Sequence, residues 1–156
     1  MVATSGDALS ESGIDKAFIK YMFPTVDLIT PNIPEAEALS GIEIKKLEDM
    51  RKAAEVLLEK GAKNVLVKGG HLTDNAADIL LGGTGERVFT SRRVNSPNTH
   101  GTGCTLSSAI AANLALGNDL ETAVQNAKTY VTEAIGNSYT VGKGHSPVHH
   151  FYKLWS

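Results

Sequence analysis

The stretch "NTHGTGCTLSSA", Asn98 to Ala109, carries the only cysteine of the chain, Cys104. It follows Gly101, Thr102 and Gly103 and opens an alanine-rich run of helical pattern that Gly117 closes. The first turn of a helix leaves backbone N–H groups without internal partners, and the helix dipole is positive there. Glycine lets a backbone turn sharply and lets an anion approach closely. Gly101, Thr102 and Gly103 are therefore candidates for a cradle of amides around a developing negative charge. Cys104 stands in the same field, which favours a thiolate able to act as nucleophile or proton acceptor. A Gly-rich turn before a buried, inert cysteine has the same spacing, and spacing alone favours that plainer reading.

Two further stretches have the composition of a phosphate site. In "TPNIPEAEALSG", Asn32 and Glu35 are three residues apart where a strand-like run meets a helix. There an amide and a carboxylate suit Mg²⁺, held directly or through water against nucleotide phosphates. They suit plain capping equally, with Asn32 as the cap and Glu35 in the first turn. In "VKGGH", Lys68 ends a second strand-like run and is followed by Gly69, Gly70 and His71. A lysine beside glycines at a strand end can meet phosphate; the alternative is a solvated lysine before a turn. No one stretch is decisive, but all three are expected at the same edge of one sheet.

The elements that must position these residues follow from periodicity. Ile14 to Phe23 reads as a helix with Ile14, Phe18 and Met22 on one face, stopped by Pro24. Val26 to Thr30 reads as a short buried strand. A helix follows from Pro34 to Gly41, then a longer one with the stripe Leu47, Met50, Ala54, Leu57 and Leu58 and a terminal Gly61. Val65 to Lys68 reads as a strand, and "ADILLGGTGERVFT" as a hairpin around a Gly-rich loop. The cysteine helix is expected over 103–116. A last helix capped by Asn118 or Asp119 is expected to reach Asn137. The tail "GKGHSPVHHFYKLWS" reads as irregular and as aromatic packing.

Strand–helix–strand order predicts an α/β fold with a mostly parallel sheet, and 156 residues suit a single domain over 1–156. The strands are few for so many helices, and "MVATSGD" reads as a strand end entering a loop. Both suggest that N-terminal strands of a larger domain are missing. Fifteen basic against 17 acidic side chains, net charge −2, give no reason to expect nucleic acid or an anionic membrane as a partner. One cysteine forms no internal disulfide, which fits a reduced, cytoplasmic setting. The first residues lack the basic and apolar regions of a signal peptide.

Several motifs fail. "GNSYTVGKG", Gly136 to Gly144, has five residues between its first glycines and no final Ser or Thr, so it is no P-loop. "GGTGER" lies in a hairpin and is no dinucleotide fingerprint. His145, His149 and His150 lack acidic or cysteine companions at ligand spacing and read as a solvated tail. His100 with Cys104 is a weaker pairing than the phosphate-suited turn.

Taken together, "TPNIPEAEALSG", "VLVKGGH" and "NTHGTGCTLSSAIAANLALG" closely resemble the hydroxymethylpyrimidine/phosphomethylpyrimidine kinases, of the ribokinase-like superfamily. The terminal "GKGHSPVHHF" is similar to that family's last segment, so the resemblance runs over nearly the whole chain. It implies a ribokinase-like three-layer α/β sandwich with a mostly parallel sheet. It implies ATP and Mg²⁺ as cofactors and a small pyrimidine alcohol as substrate, with a homodimer expected. Cys104 would be the general base and Gly101, Thr102 and Gly103 the anion hole. Asn32 and Glu35 match the superfamily's N-x-x-E motif, which organises Mg²⁺ and phosphate. Lys68 and Gly70 would lie at the nucleotide phosphates. Family members are longer on the N-terminal side, where most pyrimidine contacts would lie. A pyridoxine or pyridoxal kinase of the same branch, or a nucleotide-binding fragment without turnover, are the alternatives.

Overall fold

The computed structural model describes residues 14–70 and 75–154. The strand end expected at "MVATSGD" and the placement of His71 lie outside the described residues. The chain divides into two compact units, one up to Thr90 and one from Ser91 onward.

The first unit opens with α1 (Ile14–Ala17), which widens into a π-helical turn over Phe18–Met22. The Phe23 N–H reaches back five residues to the Phe18 carbonyl, 3.2 Å away. This widening rotates the expected face. Ile14 and Met22 stay exposed, Phe18 is partly buried against the core, and Phe23 is fully buried.

The strand expected over Val26 to Thr30 is instead two isolated parallel bridges, Ile29 with Val65 and Asn32 with Lys68. Proline explains the break. The Ile29 N–H donates to the Asn64 carbonyl at 3.0 Å, and the Leu66 and Lys68 N–H groups donate to the carbonyls of Ile29 and Pro31, each at 2.9 Å. The remaining bond of a continuous ladder would come from Pro31, which has no N–H.

Between these bridges and β1 (Asn64–Gly69) run α2 (Ile33–Ser40) and α3 (Leu47–Glu59), the expected crossover. α3 buries Met50, Ala53, Ala54 and Leu57, with Leu47 and Leu58 partly buried beside them. It ends in paired backbone bonds, Gly61 N–H to the Leu58 carbonyl and Ala62 N–H to the Leu57 carbonyl.

β2 (Asn75–Gly82) and β3 (Gly85–Arg92) complete a three-stranded sheet in the order β1-β2-β3. β2 pairs antiparallel with β1, Leu66 opposite Leu80 and Lys68 opposite Asp78. Only residues 70–74 connect β1 to β2, too few for a crossover, so the chain turns straight back. Parallel pairing with this sheet among the described residues is thus confined to the 29–32 segment; a third isolated parallel bridge, His100 with Pro147, lies in the second unit.

Strand alternation sends Val65 and Val67 into the core beside Met50, and Leu66 and Lys68 to the other face. Gly69 falls on the α3 side. A Cβ there would lie 2.3 Å from the Ala77 carbonyl oxygen and 2.7 Å from the Met50 methyl carbon, whereas a Cβ at Gly70 would meet nothing. The first glycine of the pair is required by packing and the second is not.

The second unit packs α4 (Thr102–Ala115) against α5 (Leu120–Gly136). Asp119 caps α5, its carboxylate accepting from the Thr122 N–H at 2.8 Å and from the Thr122 hydroxyl at 3.1 Å. The tail read as irregular is bonded in. His100 N–H donates to the Ser146 carbonyl at 3.2 Å, Val148 N–H to the His100 carbonyl at 3.4 Å, and His149 N–H to the Ala134 carbonyl at 3.0 Å. Ser146 and Val148 are buried.

Gly69→Ala should lower unfolding free energy by about 1–3 kcal/mol in urea denaturation, because backbone must give way. Gly70→Ala should stay within about 0.5 kcal/mol. The Thr122 backbone N–H, then its hydroxyl, holds Asp119 below the ordinary carboxylate range. This cap therefore acts fully above the unfolded Asp pKa and fades as pH falls through the lower folded value. Asp119→Asn should flatten that part of the acid titration of helicity, followed by far-UV circular dichroism.

Candidate active site

The expected site residues fall into two groups. Asn32, Glu35, Lys68 and Gly70 belong to the first unit, and Gly101, Thr102, Gly103 and Cys104 to the second.

In the first unit, Asn32 is the N-cap of α2. Its Oδ1 accepts from the Glu35 N–H at 2.9 Å, while Glu35 Oε2 accepts from the Asn32 N–H at 3.0 Å. The two residues form a reciprocal capping box, with Pro34 inside the first turn. The plainer capping reading therefore holds for both. A second function is compatible with it, because a carboxylate offers about four acceptor sites. Glu35 has no other partner among the described residues. The Asn32–Lys68 bridge sets this box beside Lys68 on the neighbouring strand. Gly70 follows in the turn beyond β1.

These residues fit Mg²⁺ of the loosely held kind. Among the described residues no three His, Cys, Asp or Glu side chains cluster as a metal cage. One carboxylate with spare lone pairs beside a lysine suits an ion that keeps most of its water and is completed by phosphate oxygens.

In the second unit, α4 starts differently from α2 and α5. Its N-cap is Gly101, at φ 84° and ψ 2°, a left-handed conformation natural to glycine, and no side chain caps the helix. The Thr102 N–H and hydroxyl both donate to the Thr99 carbonyl, at 3.3 and 3.1 Å. The Gly101 carbonyl accepts from the Thr105 N–H and hydroxyl, at 2.9 and 2.8 Å. The amides of Gly103 and Cys104 have no hydrogen-bond partner among the described residues. Cys104 is exposed, not buried and inert. The turn thus presents open donors and a thiol at one helix end.

A groove of about 660 Å³ begins at this turn. Cys104, Ser108 and Asn113 of α4 line it, with Tyr130 of α5 and His150 of the tail. The Tyr130 hydroxyl donates to the His150 carbonyl at 3.0 Å. The Tyr152 hydroxyl bonds Glu133, and the rings of Tyr130 and Tyr152 lie 5.8 Å apart. Burial, then the Glu133 carboxylate, raises the Tyr152 phenol above its usual range, which keeps the donor protonated. Sequence reasoning left His150 in a solvated tail and missed Tyr130. The aromatic residues of "HHFYKLW" were a signal for packing of the tail, and nothing local signalled Tyr130.

A family model described as phosphomethylpyrimidine kinase matches residues 1–149. The hydroxymethylpyrimidine/phosphomethylpyrimidine kinase of Haemophilus influenzae is 41% identical over 156 residues, covering 97% of this chain and 58% of that protein. The thiamine biosynthesis bifunctional protein ThiED of Geobacter sulfurreducens is 48% identical over 151 residues, 96% of this chain and 31% of its own length. Among solved structures, the Staphylococcus aureus pyridoxal kinase in complex with AMP-PCP superposes with a TM-score of 0.89 at 34% identity, over 99% of this chain and 57% of that one. The phosphomethylpyrimidine kinase of Clostridium difficile gives a TM-score of 0.73 at 44% identity, over 86% of this chain and 54% of that one. The chain has their ribokinase-like α/β fold and spans about half the length of most of these relatives.

Replacing Asn32 by Ala removes one partner of the capping box. It should cost about 1 kcal/mol of unfolding free energy, read from the urea midpoint.

Proposed function

The chain belongs to the phosphomethylpyrimidine kinase family, and from that premise we propose that it carries the phosphoryl-transfer part of an ATP-dependent kinase. Its substrates are 4-amino-5-hydroxymethyl-2-methylpyrimidine and the corresponding monophosphate, in thiamine biosynthesis. The observation that carries this reading is the start of α4, where an exposed thiol meets amides that no side chain caps. Of the other helices, α2 and α5 are capped by the side chains of Asn32 and Asp119, while α3 has no side-chain cap but also no glycine turn or thiol at its start.

In this reading Cys104 takes the proton of the hydroxymethyl group as its oxygen attacks the terminal phosphorus of ATP. The bond from that phosphorus to the bridging oxygen breaks, and ADP leaves with the electron pair. Negative charge on the moving phosphoryl group is met by the amides of Gly103 and Cys104, with Gly101 shaping the turn and the Thr102 hydroxyl on its rim. Little covalent chemistry is asked of the protein, because phosphoryl transfer depends on positioning and charge neutralisation. Lys68 and the turn at Gly70 meet the nucleotide phosphates. Asn32 and Glu35 would hold Mg²⁺, which when bound would supply charge neutralisation to the phosphate oxygens. We place the protein in the cytoplasm, as a homodimer with both units in one ribokinase-like domain. No helix among the described residues is long and apolar enough to cross a membrane.

A second reading, phosphorylation of pyridoxal, draws on the pyridoxal kinase structures that superpose on the chain. The curated relatives favour the pyrimidine.

Phosphorus NMR with Mg-ATP and hydroxymethylpyrimidine should show a new phosphomonoester, with pyridoxal in a parallel tube giving less. Cys104→Ala should lower turnover by about 10²–10⁴-fold, the usual worth of a general base. Unchanged turnover in that variant would remove the thiol from the mechanism.

A further inference from the structure

We propose that the open face of α4 is a docking surface for an apolar β-sheet, contributed by the part of the kinase domain that the relatives carry outside the region matched by this chain. Among α2 to α5, only α4 carries no Asp, Glu, Lys or Arg, from Thr102 to Ala115. A helix without a charged side is ordinarily buried all round. α4 is buried on one side only, where Thr105, Leu106 and Ile110 are covered. On the other side Cys104, Ser108, Ala111, Ala112 and Ala115 are exposed, and Leu116 at its end is 82% exposed. Their spacing makes one continuous helical face.

α5 shows how a helix of this unit meets water. It buries Ala123, Ala127 and Val131 and exposes Gln125, Asn126 and Thr129. The exposed face of α5 is polar, and that of α4 is mostly alanine. Ser108 and Ala112 also line the groove whose other side carries Tyr130 and His150, so the open face borders a recess.

Two observations choose the occupant. Helices of α/β domains bury their apolar faces against a sheet. Among the described residues no strand follows Arg92, so the second unit brings no sheet of its own, and within it α4 packs on α5. The H. influenzae and S. aureus kinases match nearly all of this chain with only 58% and 57% of their own lengths, so a long part of each lies outside the match. That part is long enough to carry several strands. The side chains fit such a partner. Alanines at a contact let the neighbouring element come close, and a parallel sheet brings Val, Ile and Leu to fill the shallow surface they leave.

The test compares this chain alone with a chimaera in which it replaces the matched part of the H. influenzae kinase. In a Cys104→Ser background, Ala112→Cys and Gln125→Cys are made separately, and their reaction with iodoacetamide is followed by mass spectrometry. In the chain alone both should react as exposed thiols. In the chimaera Ala112→Cys should react roughly 100-fold slower, because reaction then waits for local opening, and Gln125→Cys should be unchanged. Ala112→Arg should lower the melting midpoint of the chimaera by several degrees and leave that of the chain alone nearly unchanged, since only the chimaera buries the charge. Equal rates for Ala112→Cys in the two proteins overturn the proposal. Protection of Ala112→Cys in the chain alone overturns it as well: protection lost on dilution makes a second copy the occupant, and protection that persists shows the chain covering the face itself. If the chimaera fails to fold, the aligned positions of the intact H. influenzae kinase are labelled instead, with the same two outcomes. None of these readouts depends on turnover, so the docking surface and the role of Cys104 stand or fall separately.

Discussion

The first unit is referenced to one strand. β1 receives bonds from the 29–31 segment on one side and from β2 on the other, and α3 lies across it. Where β1 ends, its backbone is so close to the Ala77 carbonyl and to Met50 that only a glycine fits. This close approach sets the height of α3 above the sheet and so the ends of the elements that α3 holds. Pro31 follows from the same geometry. Its missing N–H interrupts the ladder of the neighbouring segment, whose pairing resumes at Asn32, the cap of α2.

The chain's helices start in closed and open ways. A helix of any length begins with donors that something must satisfy. α2 and α5 satisfy theirs with their own side chains, through Asn32 and Asp119. α4 does not, because its cap is a glycine in the left-handed conformation. The segment before that glycine is held by the tail, through His100 with Ser146 and Val148. Tyr130 and Glu133 in turn fasten the tail to α5. The segment before the open turn is thus bonded to a stretch near the other end of the unit.

Much of this was legible in local sequence. The stripe from Leu47 to Leu58, the hairpin around Gly83 and the Asp119 cap are each set by neighbours a few residues away, and the structure has all three. What was not legible depends on distant partners. The widening at Phe18–Met22 follows from burying Phe23, which no period of 3.6 announces. The run from Val26 to Thr30 has the composition of a strand, but its pairing is decided by whether Pro31 can donate to β1. The bond from the Gly69 N–H to Asp78 joins residues nine apart and shows only once β2 folds back on β1. At the site, Asn32 as cap with Glu35 in the first turn was legible from spacing, because capping is local; the return bond from the Asn32 N–H to Glu35 that makes it a box was not. The tail's share in the groove was missed, because His150 and Tyr130 meet across twenty residues of sequence.

The exposure of Cys104 has a practical side. It is the only sulfhydryl in 156 residues, and it stands in the open at the head of a groove. Any maleimide dye, spin label or fluorinated tag added to the native chain goes to a single address. That address is the turn where ligands are expected, so spectroscopy of the site begins without a cysteine having to be removed or introduced.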